Sequence, residues 1–349
     1  MKPSAWPSVD KVMRVLCGAV LLGALGGCDR TGGTVRDDAG ATEGVSSSAV
    51  PSVRRNATYP VLSSTHVYGK GLQHSTWGGG TTTPVDLLLD LFEPQGAPAG
   101  RPALVIIHGG GFSSGSRTQA ELRSFAKYFA SRGWVSISID YRLAGHRGTL
   151  PSQWVQYIQN EVPAARQGQT AALYPAARDA KAAVRWLYAN AATYQINTDY
   201  VTAMGGSAGA YLAIVLGVTD PRDFRDEVPA SADPTLATTH LDQPSRVRTV
   251  IDHWGGLEHL RILEALDGRS RFDSSDPPVS IVHGTADATV PFSEAEALRD
   301  AYVSTGVAFD FHPLEGVGHG PWTATVGGLT LEELAMAFVI EQQALTVSE

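Results

Sequence analysis

Runs of consecutive apolar residues alternate along the chain with segments whose apolar positions recur every three or four residues. The first kind comprises Ala103-Leu104-Val105-Ile106-Ile107 and the stretches 134–139, 200–204, 247–251, 279–282 and 307–312. Such runs read as strands buried on both faces. The second kind predicts helices. Over 118–132 the residues Leu122, Phe125 and Phe129 share one face, and a long helix is expected from near Pro175 through Val184, Leu187 and Tyr188. Further helices are expected over 293–305 and from Leu331 onward. Two strand-like runs, near 66–68 and 85–92, open the series. Repeated strand and helix units with buried strands predict an α/β fold, a mostly parallel central sheet with helices on both faces. Two polar, irregular stretches, 145–170 and 220–244, interrupt the alternation and are expected to be insertions that wall the site.

The N-terminal pattern differs. Lys2, Lys11 and Arg14 precede an apolar run from Val15 to Leu25, which closes with Gly26, Gly27 and Cys28. This layout is that of an export signal, and its ending resembles a bacterial lipobox, in which Cys28 becomes the lipidated N-terminus. An ordinary secretory signal cleaved nearby shares the layout; either way the chain is expected to be exported. From Asp29 to Arg55 the composition is Gly, Ser, Thr, Ala and acidic residues, too poor in apolar side chains to offset the entropy of ordering, and reads as a linker. The expected organisation is therefore a signal over 1–28, a linker over 29–55 and one folded domain over 56–349. With 349 residues, 43% hydrophobic and 18% charged, the chain has ample material for a large core. A formal net charge of -8, without a local Lys/Arg cluster, excludes a nucleic-acid partner. Membrane contact is expected only through Cys28. Cys17 and Cys28 are the only cysteines, and Cys17 lies inside the signal, so an intrachain disulfide is not expected.

Chemistry concentrates where predicted strands end. Gly205-Gly206-Ser207-Ala208-Gly209 follows a strand and precedes an apolar helix, a corner at which a serine hydroxyl projects beside a helix N-terminus. A serine needs a base, and the base needs a group that orients it. Asp287, in the loop after the strand ending His283-Gly284, and His319, in Gly316-Val317-Gly318-His319-Gly320, sit at the same carboxyl edge of a parallel sheet. His312 lies within a predicted strand, His283 is read as bracing the Asp287 loop, and Asp252 follows a different strand. His108-Gly109-Gly110-Gly111 offers backbone N–H groups close to a substrate oxygen, so the oxyanion hole is assigned to Gly110, Gly111 and Ala208. Trp154, Trp254 and Trp322 are candidate substrate contacts or, equally, core residues.

On these motifs the chain resembles the α/β-hydrolase superfamily, and within it the carboxylesterases of the hormone-sensitive-lipase-like and feruloyl or acetyl-xylan esterase branch. The resemblance rests on HGGGF at 108–112, DYRL at 140–143, the helix at 175–187, GGSAG at 205–209, HGTAD at 283–287 and GVGHG at 316–320. It implies an α/β-hydrolase fold and a serine carboxylesterase that cleaves short-chain or aromatic acyl esters of small or polymer-linked alcohols. Catalysis would run through an acyl-enzyme, with no metal and no organic cofactor. An amidase, peptidase or lactonase on the same fold, or a silent envelope binding protein, are the alternatives. One departure stands out. Hormone-sensitive-lipase-like enzymes usually carry an acidic residue just before the serine, where this chain has Gly206.

Overall fold

The structure, a computed structural model, describes residues 49–349. The signal, Cys28 and most of the expected linker lie outside the described residues. Eight strands form the central sheet: β1 Val61–Thr76, β2 Gly79–Pro94, β3 Arg101–Ile107, β4 Val135–Ile139, β5 Ile196–Gly206, β6 Thr249–His253, β7 Val279–Gly284 and β8 Phe309–Leu314. Their spatial order is β1-β2-β4-β3-β5-β6-β7-β8. The β1–β2 and β2–β4 pairs are antiparallel, and every other neighbouring pair is parallel. This is the α/β-hydrolase fold expected from the alternating pattern.

The period-two geometry of β3 explains why it reads as uninterrupted apolar sequence. Ala103, Val105 and Ile107 enter the core on one face of the sheet, and Leu104 and Ile106 enter the core on the other. Each fully buried Val, Leu or Ile contributes about 1.5–3 kcal/mol of transfer free energy, so both faces must be covered. Helices α1 Ala120–Ala130 and α7 Leu331–Gln343 cover one face; α3 Ala164–Ala189, α4 Ala208–Val218, α5 Glu258–Asp267 and α6 Ser293–Thr305 cover the other. The short helix α2, Ser152–Glu161, lies beside α3.

Three expectations need correction. The linker ends before Arg55, because Ser52–Arg54 pairs in parallel with Thr346–Ser348 and Val53 is fully buried. That partner lies almost 300 residues away, so composition around residue 50 carries no trace of it. The stretch 145–170 is not irregular: it contains α2 and the first turns of α3, which starts at Ala164 and runs through Pro175. A proline inside a helix costs about 3 kcal/mol or more, yet the helix from Thr170 to Leu187 is buried along its length, and that burial outweighs the lost bond. Finally, β1 and β2 are each 16 residues long, joined at Trp77-Gly78, well beyond the short runs expected. Their outer halves are exposed and rich in Ser and Thr, so no apolar signal marks them.

Candidate active site

The serine corner forms because two glycines permit it. A Cβ at Gly205 would lie 2.2 Å from the carbonyl carbon of Gly209, and one at Gly209 would lie 2.0 Å from the oxygen of Ile107 in β3. Strand and helix thus meet at backbone contact. Ser207 takes φ 55 and ψ -125, a conformation that side chains rarely adopt, and caps α4. Its N–H donates to the carbonyl of His253 at 2.9 Å, and its own carbonyl accepts from Ala210 and Tyr211. The elbow is held from both sides.

The loops after β7 and β8 bring the other two candidates to this corner. His319 Nε2 lies 2.9 Å from Ser207 Oγ, and His319 Nδ1 lies 2.7 Å from Asp287 Oδ2. The Asp287 carboxylate is buried, and its Oδ1 accepts from the N–H groups of Thr289 and Val290 at 2.8 and 2.9 Å. Burial alone would raise its pKa. The bonds from His319, Val290 and Thr289 outweigh that, and the carboxyl sits below its usual range. His283 braces this loop through Val290 O at 2.9 Å and stands 3.4 Å from Asp287 Oδ2; burial first of all holds its pKa down. His312 is buried in β8, where its Nε2 stands 3.9 Å from Asp310 Oδ2. Asp252 accepts from the N–H of Gly255 at 2.9 Å rather than from His319, and burial pushes it up to about 7.

The glycine tract follows β3 and borders Ser207. Gly110 has φ 107 and a Cβ there would lie 2.1 Å from Ser114 O; Gly111 has φ 59. Neither position tolerates a side chain without strain. The Gly110 carbonyl is engaged by the N–H groups of Ser113 and Ser114, and the Gly111 carbonyl by Gln169 Nε2 at 3.0 Å. Among the described residues, no bond to a protein acceptor is formed by the N–H of Gly110, Gly111 or Ala208. His108 stacks on Tyr141, with ring centroids 4.2 Å apart, and Tyr141 donates to the His108 carbonyl at 2.9 Å. It braces the tract.

Two cavities open on Ser207. The larger, about 590 Å³, contains Ala208, Phe112 and Tyr211, and its rim carries two ion pairs, Arg166 with Glu258 and Arg261 with Glu294. The smaller, about 370 Å³, lies against Gly206, His319, Trp254 and Trp322. Tyr157, Arg166 and Gln169 come from the first insertion, as expected of a wall. The second insertion contributes to neither cavity, which corrects its expected role. It instead covers α3, whose buried cations satisfy its carbonyls: Lys181 bonds Asp220 O and Asp223 O, Arg178 bonds Arg225 O and Val228 O, and Arg185 bonds Thr239 O.

The three tryptophans part company. Trp154 is fully buried, packs edge to face on Tyr174 at 5.4 Å and lies near Phe224, and borders neither cavity. It is a core residue, because the amphipathic α2 turns it inward. Trp254, with φ 47, and Trp322 both border the smaller cavity and meet edge to face at 4.9 Å. Trp322 also accounts for the departure at position 206: a Cβ on Gly206 would stand 2.5 Å from its Cζ2. The charged rim residues carry no sequence signal, since each lies on a helix with no motif around it. Among the described residues, no cluster of three or more His, Cys, Asp or Glu is arranged to hold a metal. Nor, among them, is any helix long and apolar enough to cross a membrane.

Comparison with known proteins agrees with this architecture. The chain matches BD-FAE over residues 89–162 and 166–271, just over half of its length. Esterase LipC of Mycobacterium tuberculosis is 24% identical over 257 residues, covering 67% of this chain and 56% of LipC. Esterase LipQ of the same organism is 27% identical over 241 residues, covering 63% and 51%. The chain therefore spans about half the length of these curated relatives. Among solved structures, the propionate-bound thermophilic esterase Est2 of Thermogutta terrifontis is 25% identical, with a TM-score of 0.58 over 82% of this chain and 97% of that one. The same esterase phosphorylated by paraoxon is 26% identical, with a TM-score of 0.54 over 79% and 95%.

Proposed function

Because this chain belongs to the BD-FAE family and has the α/β-hydrolase fold, we propose that it is a serine carboxylesterase acting through an acyl-enzyme. The observation that carries the reading is the continuous hydrogen-bonded series Ser207–His319–Asp287, at 2.9 and 2.7 Å, beside the glycine tract. The names of the relatives, esterases all, support it.

In this mechanism Ser207 Oγ attacks the ester carbonyl carbon and its proton passes to His319 Nε2. Asp287, buried and held anionic by its own hydrogen bonds, orients the imidazole and stabilises the cation that forms. The carbonyl oxygen becomes an oxyanion that receives the N–H groups of Gly110, Gly111 and Ala208. Losing one such donor typically costs about 100- to 1,000-fold in turnover. The carbon–oxygen bond to the alcohol then breaks, and His319 returns the proton to the departing oxygen. Water, deprotonated by His319, attacks the acyl-enzyme and releases the acid and free Ser207. We further propose that the enzyme is exported and held at the cell envelope by a lipid on Cys28, on the strength of the apolar run and its small-residue ending.

The purified chain should hydrolyse nitrophenyl acetate, and Ser207→Ala should reduce the rate by at least about 10⁴-fold. Paraoxon, which phosphorylates the Thermogutta terrifontis esterase, should inactivate the protein and add its diethylphosphoryl group to the Ser207 peptide by mass spectrometry. Equal rates from the wild type and Ser207→Ala would overturn the esterase reading. Metabolic lipid labelling that survives Cys28→Ala would overturn the tether.

A further inference from the structure

The two cavities at Ser207 differ in chemistry. The larger carries Arg166, Glu258, Arg261 and Glu294 at its rim beside an apolar wall that includes Phe112 and Leu173, so among the two it alone offers charged partners to a polar group. The smaller is bordered by no Asp, Glu, Lys or Arg; beside Ser207 and His319 its polar side chains are Gln119 and Thr289, and the rest is glycine backbone and the two indoles. An ester that presents a hydrocarbon acyl chain and a polar alcohol is matched best with the alcohol beside the ion pairs and the chain against the indoles, where no charge would be left buried without a partner.

On that apolar side one residue sets the limit. Trp322 follows His319 by three residues, in a short loop turned by the bond from its own N–H to Gly320 O at 2.9 Å. Its ring is wedged between Trp254 at 4.9 Å and Phe125 at 5.8 Å, and it lies on the bare backbone of Gly206, next to the nucleophile. Three contacts of this kind fix the ring, and a ring so fixed cannot yield to a longer chain without repacking. Resting on the esterase reading, we infer that Trp322 is the acyl-length stop of this enzyme. It restricts the apolar cleft to short acyl groups, while the charged cavity receives the alcohol portion.

Each methylene that finds an apolar surface is worth about 4-fold in transition-state binding, so removing the stop should reverse the preference over a few carbons. The experiment measures kcat/KM of the full chain on nitrophenyl acetate, butyrate and octanoate, and separately on acetates of alcohols of increasing size. Wild type should favour the short acyl groups. Trp322→Ala should raise the octanoate-to-acetate ratio by at least about 10-fold and leave the alcohol series unchanged. Trp322→Leu, which keeps apolar volume in the core, should move the acyl ratio in the same direction, so that poor folding of the alanine variant does not decide the matter. An unchanged acyl ratio in active variants, or a change confined to the alcohol series, would overturn the stop while leaving the esterase reading intact. Should wild type turn over none of these esters, the rates at which nitrophenyl ethyl- and octylphosphonates label Ser207 read the same selectivity without turnover. A wild type that takes up neither reagent overturns both proposals.

Discussion

Gln169 Nε2 donates to the carbonyl oxygen of Gly111 at 3.0 Å, so the second turn of α3 is tied directly to the loop assigned to the oxyanion. Among the described residues the Gly111 carbonyl has one other partner, Ser113 Oγ at 3.3 Å, and a Cβ on Gly111 would meet only Gln169. Removing the amide should leave the loop less well placed. The bond is exposed to water and worth about 0.5–1.5 kcal/mol, which corresponds to roughly 2- to 10-fold in rate if it is expressed wholly in the transition state. Gln169→Ala should therefore lower kcat on nitrophenyl acetate by that factor, with the melting temperature unchanged. A loss confined to KM would mean that Gln169 touches substrate instead of positioning the loop.

Gly206 and Trp322 should behave as one unit. A methyl group at 206 would overlap the indole at 2.5 and 2.7 Å and approach Trp254 Nε1 at 3.4 Å. Overpacking of this kind typically costs about 1–3 kcal/mol. Gly206→Ala alone should lose stability of that order. In the Trp322→Leu background the added methyl should cost much less, because the ring atoms it strikes are gone. Urea unfolding of the two single variants and the double variant measures the coupling, and simple additivity would show that the close approach carries no energy.

The alternation of strands and helices around a mostly parallel sheet and the meeting of Ser207, Asp287 and His319 are legible because they follow from local features: apolar runs, glycines at a corner, and loops at one edge of a parallel sheet. The missing acid before the serine is visible at Gly206, yet its cause is not, since Trp322 lies 116 positions on and no local pattern joins them. Pro175 misled for a related reason. Helix preference treats it as a start, whereas the burial of residues 170–187 on neighbouring elements decides the outcome. The second insertion was misplaced because the buried Lys181, Arg178 and Arg185 that hold it read, in sequence, as an ordinary basic helix face.

Trp154 separates core from site. It is fully buried against Tyr174 and Phe224 and borders neither cavity. Truncating a buried tryptophan costs about 3–5 kcal/mol. Trp154→Ala should accordingly lower the unfolding midpoint sharply while leaving the ratio of octanoate to acetate turnover at the wild-type value. A changed ratio at unchanged stability would place Trp154 in the substrate pocket after all.

Asp252 gives the stability a definite pH dependence. Its carboxyl is fully buried; one oxygen accepts from Gly255 N–H and Oδ2 has no partner among the described residues. Burial raises its pKa from 3.8 to about 7, and the Gly255 bond only partly opposes this. A folded-state pKa above the unfolded one means that the native chain holds an extra proton between those values. The associated stability is fully present below about pH 4 and lost as pH rises through 7. Asp252→Asn keeps an acceptor for Gly255 but cannot ionise. Its stability relative to wild type should therefore improve by on the order of 2 kcal/mol between pH 5 and pH 8. Urea midpoints at the two pH values test this, and the comparison with wild type cancels other titrating groups such as Asp276, which burial also raises to about 7. A constant difference between the two proteins would mean that Asp252 is already ionised in the native state at pH 5.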